Sequence, residues 1–258
     1  MLHGLLKGRK GLILGVANAH SIAWAVARNC AVAGADLAIT YQGERFASKV
    51  EKLVEGEGIQ ATLYPCDATE QDSVRQMFQG VERDLGRLDF VLHAWAFAPR
   101  TALKADYLDT SWDDYALAQR VSAHSLVHIA REAKPMMAGG GSIVALSYLG
   151  SERVVPGYNV MGVAKASLEA SVRYLAHDLG RENIRVNAVS PGPISTLSAR
   201  GVSGFTEMLE QHRSVAPLGR NVEADEVGGA AVFLFSDLSS GITGEVLYVD
   251  AGYHMMGV

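Results

Sequence analysis

Cysteine is scarce: Cys30 and Cys66 are the only two in 258 residues. Two thiols in apolar or strand-like surroundings exclude a disulfide framework and fit a reducing, cytoplasmic compartment. Nowhere do about 18 apolar residues run together, so no membrane-spanning helix is expected. The amino terminus, MLHGLLKGRKGLILGV, breaks its apolar runs with basic residues and lacks a cleavage site, which argues against a signal peptide. Excess positive charge is also missing: lysine and arginine number 23 against 28 aspartate and glutamate, a formal charge of −5 with both signs interspersed. Nucleic acid and anionic membranes are therefore not expected partners; a small molecule or a soluble protein is. Length alone allows one large α/β domain or two small ones. No Pro/Gly/Ser-rich linker, internal repeat or low-complexity tract divides the chain, which is read as a single domain over residues 1–258.

What is present is alternation. Apolar runs of strand length recur at 11–16, 36–41, 61–66, 88–97, 142–149, 184–190 and 245–252, most of them apolar on both faces. Helical patterns lie between them, such as Ile22-Ala23-Val26-Ala27 before Gly34, Val50-Leu53-Val54, and Val74-Met77-Phe78-Val81 closing at Leu85-Gly86. Continuous apolar strands joined by helical crossovers imply an α/β fold, a doubly wound, Rossmann-like parallel sheet of seven strands with helices on both faces. Residues 193–222 interrupt this rhythm with short helical pieces and turns, as a lid over a ligand site would.

The first strand runs into Gly15 and then Ser21-Ile22 at a helix start. The G-x-G-x-x-G pattern is absent, yet strand, glycine turn and helix in succession suit a pyrophosphate, because first-turn amides have no partners within the helix. Ser21 either caps that helix or binds phosphate. The second strand ends at Thr40-Tyr41-Gln42, where Gln42 can donate and accept at a ribose, and Arg45 leaves room for a 2′-phosphate. Asp67, after the third strand, is either an adenine ligand or a helix cap.

The fifth strand ends in Ser147-Tyr148-Leu149-Gly150, and the stretch 157–165, GYNVMGVAK, follows. Ligands in such sheets lie outside the carboxyl ends of strands, so Tyr148 is expected to face the crevice. Tyr158 precedes Lys165 by seven residues, about 700° of helix, which leaves them on one face with about 20° of offset. Ordinary carbonyl reductases of this fold space the pair Tyr-x-x-x-Lys, and here that tyrosine position is Met161. The wider gap shifts the hydroxyl roughly one turn, about 5 Å, toward a larger substrate. His124 and His128 share one helix face at i, i+4, but no third ligand joins them in a metal motif, so no metal is expected.

These residues resemble the enoyl-acyl-carrier-protein reductases of the short-chain dehydrogenase/reductase superfamily, the NADH-using kind of type II fatty-acid synthesis. The resemblance runs nearly end to end, through GVANAHSIAWAVA (15–27), TYQGERF (40–46), CDAT (66–69), HAWAFAPR (93–100), 146–176, 184–201 and 236–257. The 146–176 block is its most specific part, since it carries Tyr-x6-Lys. The resemblance implies that Tyr158 hydrogen-bonds the thioester oxygen of a trans-2-enoyl substrate, that Tyr148 is the second active-site tyrosine and that Lys165 holds the nicotinamide ribose. It places Gly15, Ser21, Ile22, Gln42, Asp67, Ala68, Trp95, Ile194, Ser195, Thr196, Leu197 and Ser198 at the cofactor. Ala98, Met161 and Phe205 fall at the substrate. It further implies NADH rather than NADPH, an acyl-carrier protein as partner, and a homotetramer. The sequence departs from the family at Trp95, where a smaller aliphatic residue is usual, and at Ala96, His124, Pro191 and Ser195, which replace a frequent glycine, tyrosine, alanine and arginine. The competing readings are an ordinary carbonyl reductase and a non-catalytic NAD-binding regulator.

Overall fold

The structure is a computed structural model that describes residues 2–196 and 205–257, with the backbone alone described at Glu44 and Phe205. Its strands are β1 (Lys10–Ile13), β2 (Asp36–Tyr41), β3 (Ala61–Pro65), β4 (Phe90–His93), β5 (Gly141–Leu146), β6 (Ile184–Pro191) and β7 (Val246–Val249). They form one sheet in the order β3-β2-β1-β4-β5-β6-β7, and every pairing is parallel. Each apolar run in the sequence supplies one strand, most of them shorter than the run. The run 88–97 narrows to Phe90–His93 because the chain then leaves the sheet, and Ala94, Ala96 and Phe97 form a cavity wall.

The helices are α1 (Ile22–Val32), α2 (Glu44–Gly56), α3 (Gln71–Leu85), α4 (Arg100–Lys104), α5 (Trp112–Gln119), α6 (Ser125–Ala133), α7 (Asn159–Leu179), α8 (Phe205–Val215) and α9 (Ala224–Phe235). A π turn, Arg120–His124, joins α5 to α6. Side chains alternate across the sheet, so neighbouring strand residues enter different cores. Leu12 and Val91 pack with Met77 of α3, Leu126 of α6 and Leu168 of α7. Ile13 and Leu92 pack on the other face with Val26 of α1, Val50 of α2 and Val232 of α9. Each such side chain, fully buried, contributes about 1.5–3 kcal/mol relative to exposure. The winding direction reverses between β1 and β4, which leaves a crevice beyond their carboxyl ends.

Candidate active site

The carboxyl ends of β1, β4, β5 and β6 open into a cavity of about 430 Å³, a size suited to a small-molecule site. At one end the chain turns at Gly15 with φ +91°, and a Cβ there would lie 2.9 Å from the Ala94 carbonyl oxygen. Only glycine fits, so the backbone itself can meet a ligand. Gly15→Ala is expected to cost about 1–2 kcal/mol from the left-handed backbone alone, read as a lowered Tm together with weakened nucleotide binding.

Ser21 occupies the N-cap position of α1 but makes no side-chain cap. Its hydroxyl donates to the Asn18 carbonyl oxygen at 2.6 Å. Of the two sequence readings the cap is thus corrected, because the turn 17–21 folds back and takes the hydroxyl proton. Ser21, Ile22 and Ala23 line the cavity, and the first amides of α1 have no acceptor within the helix. Gly192 closes the facing wall, where a Cβ would meet His212 Nε2 at 2.9 Å and Asp250 Cα at 3.2 Å. Two backbone walls that exclude a Cβ and a bare helix start fit the pyrophosphate of a dinucleotide.

Gln42 and Asp67 come together beside this end, outside the cavity wall. Burial pushes the Asp67 carboxyl up, but the amide and hydroxyl of Thr69, the Gln42 side chain and the charge of Arg120 outweigh it, and the net shift is downward. Asp67 Oδ1 accepts from Thr69 N at 2.8 Å and Thr69 Oγ1 at 2.7 Å, so Asp67 holds the turn before α3 without capping α3 itself. Ala68 packs against the core. Trp95 is buried in that same core at 9% exposure, with its ring edge against His93 at 5.9 Å between centroids. Backbone alternation turns Trp95 inward and leaves Ala94 and Ala96 facing the cavity. Ile194 and Thr196 line the cavity, whereas Ser195 is exposed. Leu197 and Ser198 lie outside the described residues, as does the side chain of Phe205.

The other end gathers Tyr148, Tyr158, Met161, Lys165 and Ala98 around the same space. Tyr148 leaves β5 in extended backbone, φ −164° and ψ 149°. Its ring meets Tyr158 edge-on, with centroids 4.9 Å apart and planes at 68°. Its hydroxyl donates to Met208 Sδ on α8 at 3.3 Å. Burial pushes the Tyr148 phenol up to about 12, with Tyr253 adding to the shift. The Tyr158 phenol is also pushed up, first by burial and then by Tyr148. Both tyrosines therefore stay protonated donors through the neutral range.

Tyr158 is the N-cap residue of α7, and Asn159 after it has φ +37°. This left-handed residue interrupts the ideal helix on which the 20° offset rests, so the pair is brought together by a re-aimed first turn. Asn159 is among the residue types that tolerate this backbone, and its amide donates to the Ala105 carbonyl oxygen. Lys165 is 4% exposed and donates from Nζ to the Leu146 carbonyl oxygen at 2.6 Å. Burial pulls its pKa down to about 8, against the opposing charge of Glu169. Met161 is buried and carries no proton to give.

Sequence reasoning missed several neighbours. Ser122 of the π turn accepts from Phe97 N at 2.9 Å and donates to Phe97 O at 3.2 Å, fixing the cavity edge beside Ala98. Met208, Asn18, Arg100 and Leu103 also line the cavity. Only Asn18, inside the quoted glycine turn, carried a local signal; the rest depend on contacts between distant segments.

With this geometry in place, comparison with known proteins is specific. The family model described as Enoyl-(Acyl carrier protein) reductase matches residues 15–254. The NADH-dependent enoyl-acyl-carrier-protein reductase FabI of Bacillus cereus is 52% identical over 254 residues, covering 98% of this chain and 99% of that protein. Its namesake in Rickettsia bellii is 50% identical over 257 residues, covering 100% and 98%. The crystal structure of the Bacillus cereus enzyme with NADP+ and an indole naphthyridinone superposes with a TM-score of 0.96 at 51% identity, covering 98% of this chain and 99% of that one. The Anaplasma phagocytophilum reductase in complex with NAD gives 0.95 at 48% identity, covering 99% and 97%. The chain belongs to the enoyl-acyl-carrier-protein reductase family.

Proposed function

We propose that this chain reduces the 2,3 double bond of trans-2-enoyl thioesters carried by acyl-carrier protein, with NADH as reductant, as the last step of a fatty-acid elongation cycle. The observation that carries the reading is a single cavity in which Tyr158 and Lys165, seven residues apart, flank a buried Met161. Gly15, the α1 amides and Gly192 would hold the pyrophosphate, and Lys165 the nicotinamide ribose. Reduced nicotinamide, when bound, supplies the hydride for the β-carbon. As negative charge develops on the thioester oxygen, the Tyr158 hydroxyl donates a hydrogen bond to it, and a proton from solvent then adds at the α-carbon to give the saturated thioester. A positioned donor of this kind lowers a barrier by roughly 3–4 kcal/mol in a site closed to water. A phenol pushed up by burial suits such a donor and is poorly suited to give its proton away outright. The carbonyl-reductase alternative needs an acid at position 161, and methionine has none.

The Gln42–Asp67 pair at the adenosine end favours NADH, and Arg45 lies over the Phe46 ring at 4.8 Å. Ala98 and Met161, with Phe205 on α8, are assigned to the acyl chain. We read residues 1–258 as one domain with a substrate lid assigned to 193–222, of which 197–204 lie outside the described residues; in the described part, Met208 meets the Tyr148 hydroxyl. Assembly as a homotetramer is the further expectation, and light scattering should give four times the monomer mass. Among the described residues no helix is long and apolar enough to cross a membrane, and both cysteines are free and buried, which accords with a reducing cytoplasm. The direct test is oxidation of NADH and, separately, NADPH by purified protein with crotonyl-CoA or an enoyl-carrier-protein thioester. Turnover with NADH is expected; no oxidation of either nucleotide would overturn the reading.

A further inference from the structure

Glu169 is a buried carboxylate that the chemistry above does not use. It is 5% exposed and does not line the cavity. Its Oε1 accepts from the Ser147 hydroxyl, and from Ser151 Oγ at 2.7 Å. Among the described residues it forms no ion pair within 4.0 Å; along its helix Lys165 lies one turn earlier and Arg173 one turn later. A charge buried this way is costly, so what it holds matters.

What it holds is one short segment. Ser147 follows β5, and Ser151 closes the 3₁₀ turn Leu149–Ser151. The two hydroxyls therefore bracket Tyr148, and a single carboxylate oxygen gathers both. Charge-assisted bonds of this type are the stronger class of hydrogen bond. The segment is also pressed against the start of α7: a Cβ on Gly162 would lie 2.6 Å from the Gly150 carbonyl oxygen, and one on Gly150 would lie 2.6 Å from Tyr158 Cδ1. The anchors and the glycine contact together hold the backbone on both sides of Tyr148, whose ring plane meets that of Tyr158 at 68°.

We propose that Glu169 is a positioning residue for Tyr148, tying down both flanks of the tyrosine through Ser147 and Ser151 and so setting the Tyr148–Tyr158 contact at the cavity. This rests on the enoyl-reductase reading for its effect on turnover, but not for its effect on the tyrosine.

The test compares Glu169→Gln, whose amide oxygen still accepts, with Glu169→Leu, which is similar in size and does not, and with Ser151→Ala. It is run on full-length protein, on the acidic side of the Lys165 transition. Wild-type turnover of crotonyl-CoA is measured first, so that its absence counts against the functional reading alone. The glutamine variant should keep kcat within about threefold of wild type, while the leucine variant loses roughly tenfold or more at unchanged Kd for NADH. Independently of activity, 3-fluorotyrosine labelling gives a Tyr148 fluorine resonance, identified by its loss in Tyr148→Phe. It should be sharp in wild type and Glu169→Gln, and displaced or broadened in Glu169→Leu and Ser151→Ala. Where the leucine variant does not fold, Ser151→Ala carries the comparison. A Tyr148 resonance unmoved in folded Glu169→Leu or in Ser151→Ala, equal kcat losses for glutamine and leucine, or parallel loss of NADH affinity would overturn the proposal.

Discussion

Tyr158→Phe is expected to lower kcat on a trans-2-enoyl thioester by roughly 10²–10³-fold, the usual cost of removing one donor to a developing oxyanion. Affinity for NADH should stay within a few-fold. The substitution removes a single oxygen and leaves the ring in its edge contact with Tyr148, so cavity shape and nucleotide walls are retained. The loss should appear in kcat and kcat/KM together, because the donor acts where charge appears and not where substrate first binds. Steady-state kinetics with separate titration of NADH by fluorescence checks this. Equal losses in turnover and nucleotide affinity would remove Tyr158 from the oxyanion role.

Lys165→Ala should act on the other ligand, weakening NADH by roughly 10–100-fold, in line with losing a charged hydrogen-bond donor of about 1.5–3 kcal/mol. In wild type Nζ is already oriented by the Leu146 carbonyl oxygen, so truncation also leaves that oxygen without its donor. The same group predicts a pH dependence. Lys165 is pulled down to about 8 by burial, with Glu169 opposing the shift. His93, buried nearby and pulled down to about 3, is neutral above that pH and adds no charge change. Tyr158 and Tyr148 are shifted upward and stay protonated. Below about 8 Lys165 is a cation and a full donor; as pH rises through that value the charge is lost. NADH affinity of the free enzyme should therefore fall as pH rises past about 8, and Glu169→Gln should move the fall to lower pH. A profile flat from neutral pH to above the transition would contradict this.

The parts of the molecule that were legible in the sequence are those set by local pattern. The apolar runs around Leu12, Ile39 and Val144 give strands because both faces of a parallel sheet are buried. The α3 pattern ends at Leu85-Gly86 as its spacing predicts. Tyr148, Tyr158 and Lys165 could be placed because strand ends and a helix start fix where they face. What could not be read depends on contacts between distant segments. Ser21 looks like a cap until the Asn18 carbonyl oxygen takes its proton. Trp95 looks like a cavity residue until the chain leaving β4 turns it into the core. The clasp of Ser122 on Phe97 spans 25 positions and arises from a π turn that no propensity announces. Asn159 alone has a left-handed backbone at the head of α7, and the Tyr158–Lys165 geometry follows from that turn as much as from helical periodicity.

The central claim is that the Tyr-x6-Lys pair selects an enoyl thioester over a ketone. It is tested most directly by offering purified protein and NADH an equimolar mixture of a trans-2-enoyl and a β-ketoacyl thioester, with products resolved by mass spectrometry. The predicted result is the saturated acyl thioester, with the β-ketoacyl thioester recovered unchanged. Accumulation of a β-hydroxyacyl thioester, with the enoyl substrate left intact, would contradict it.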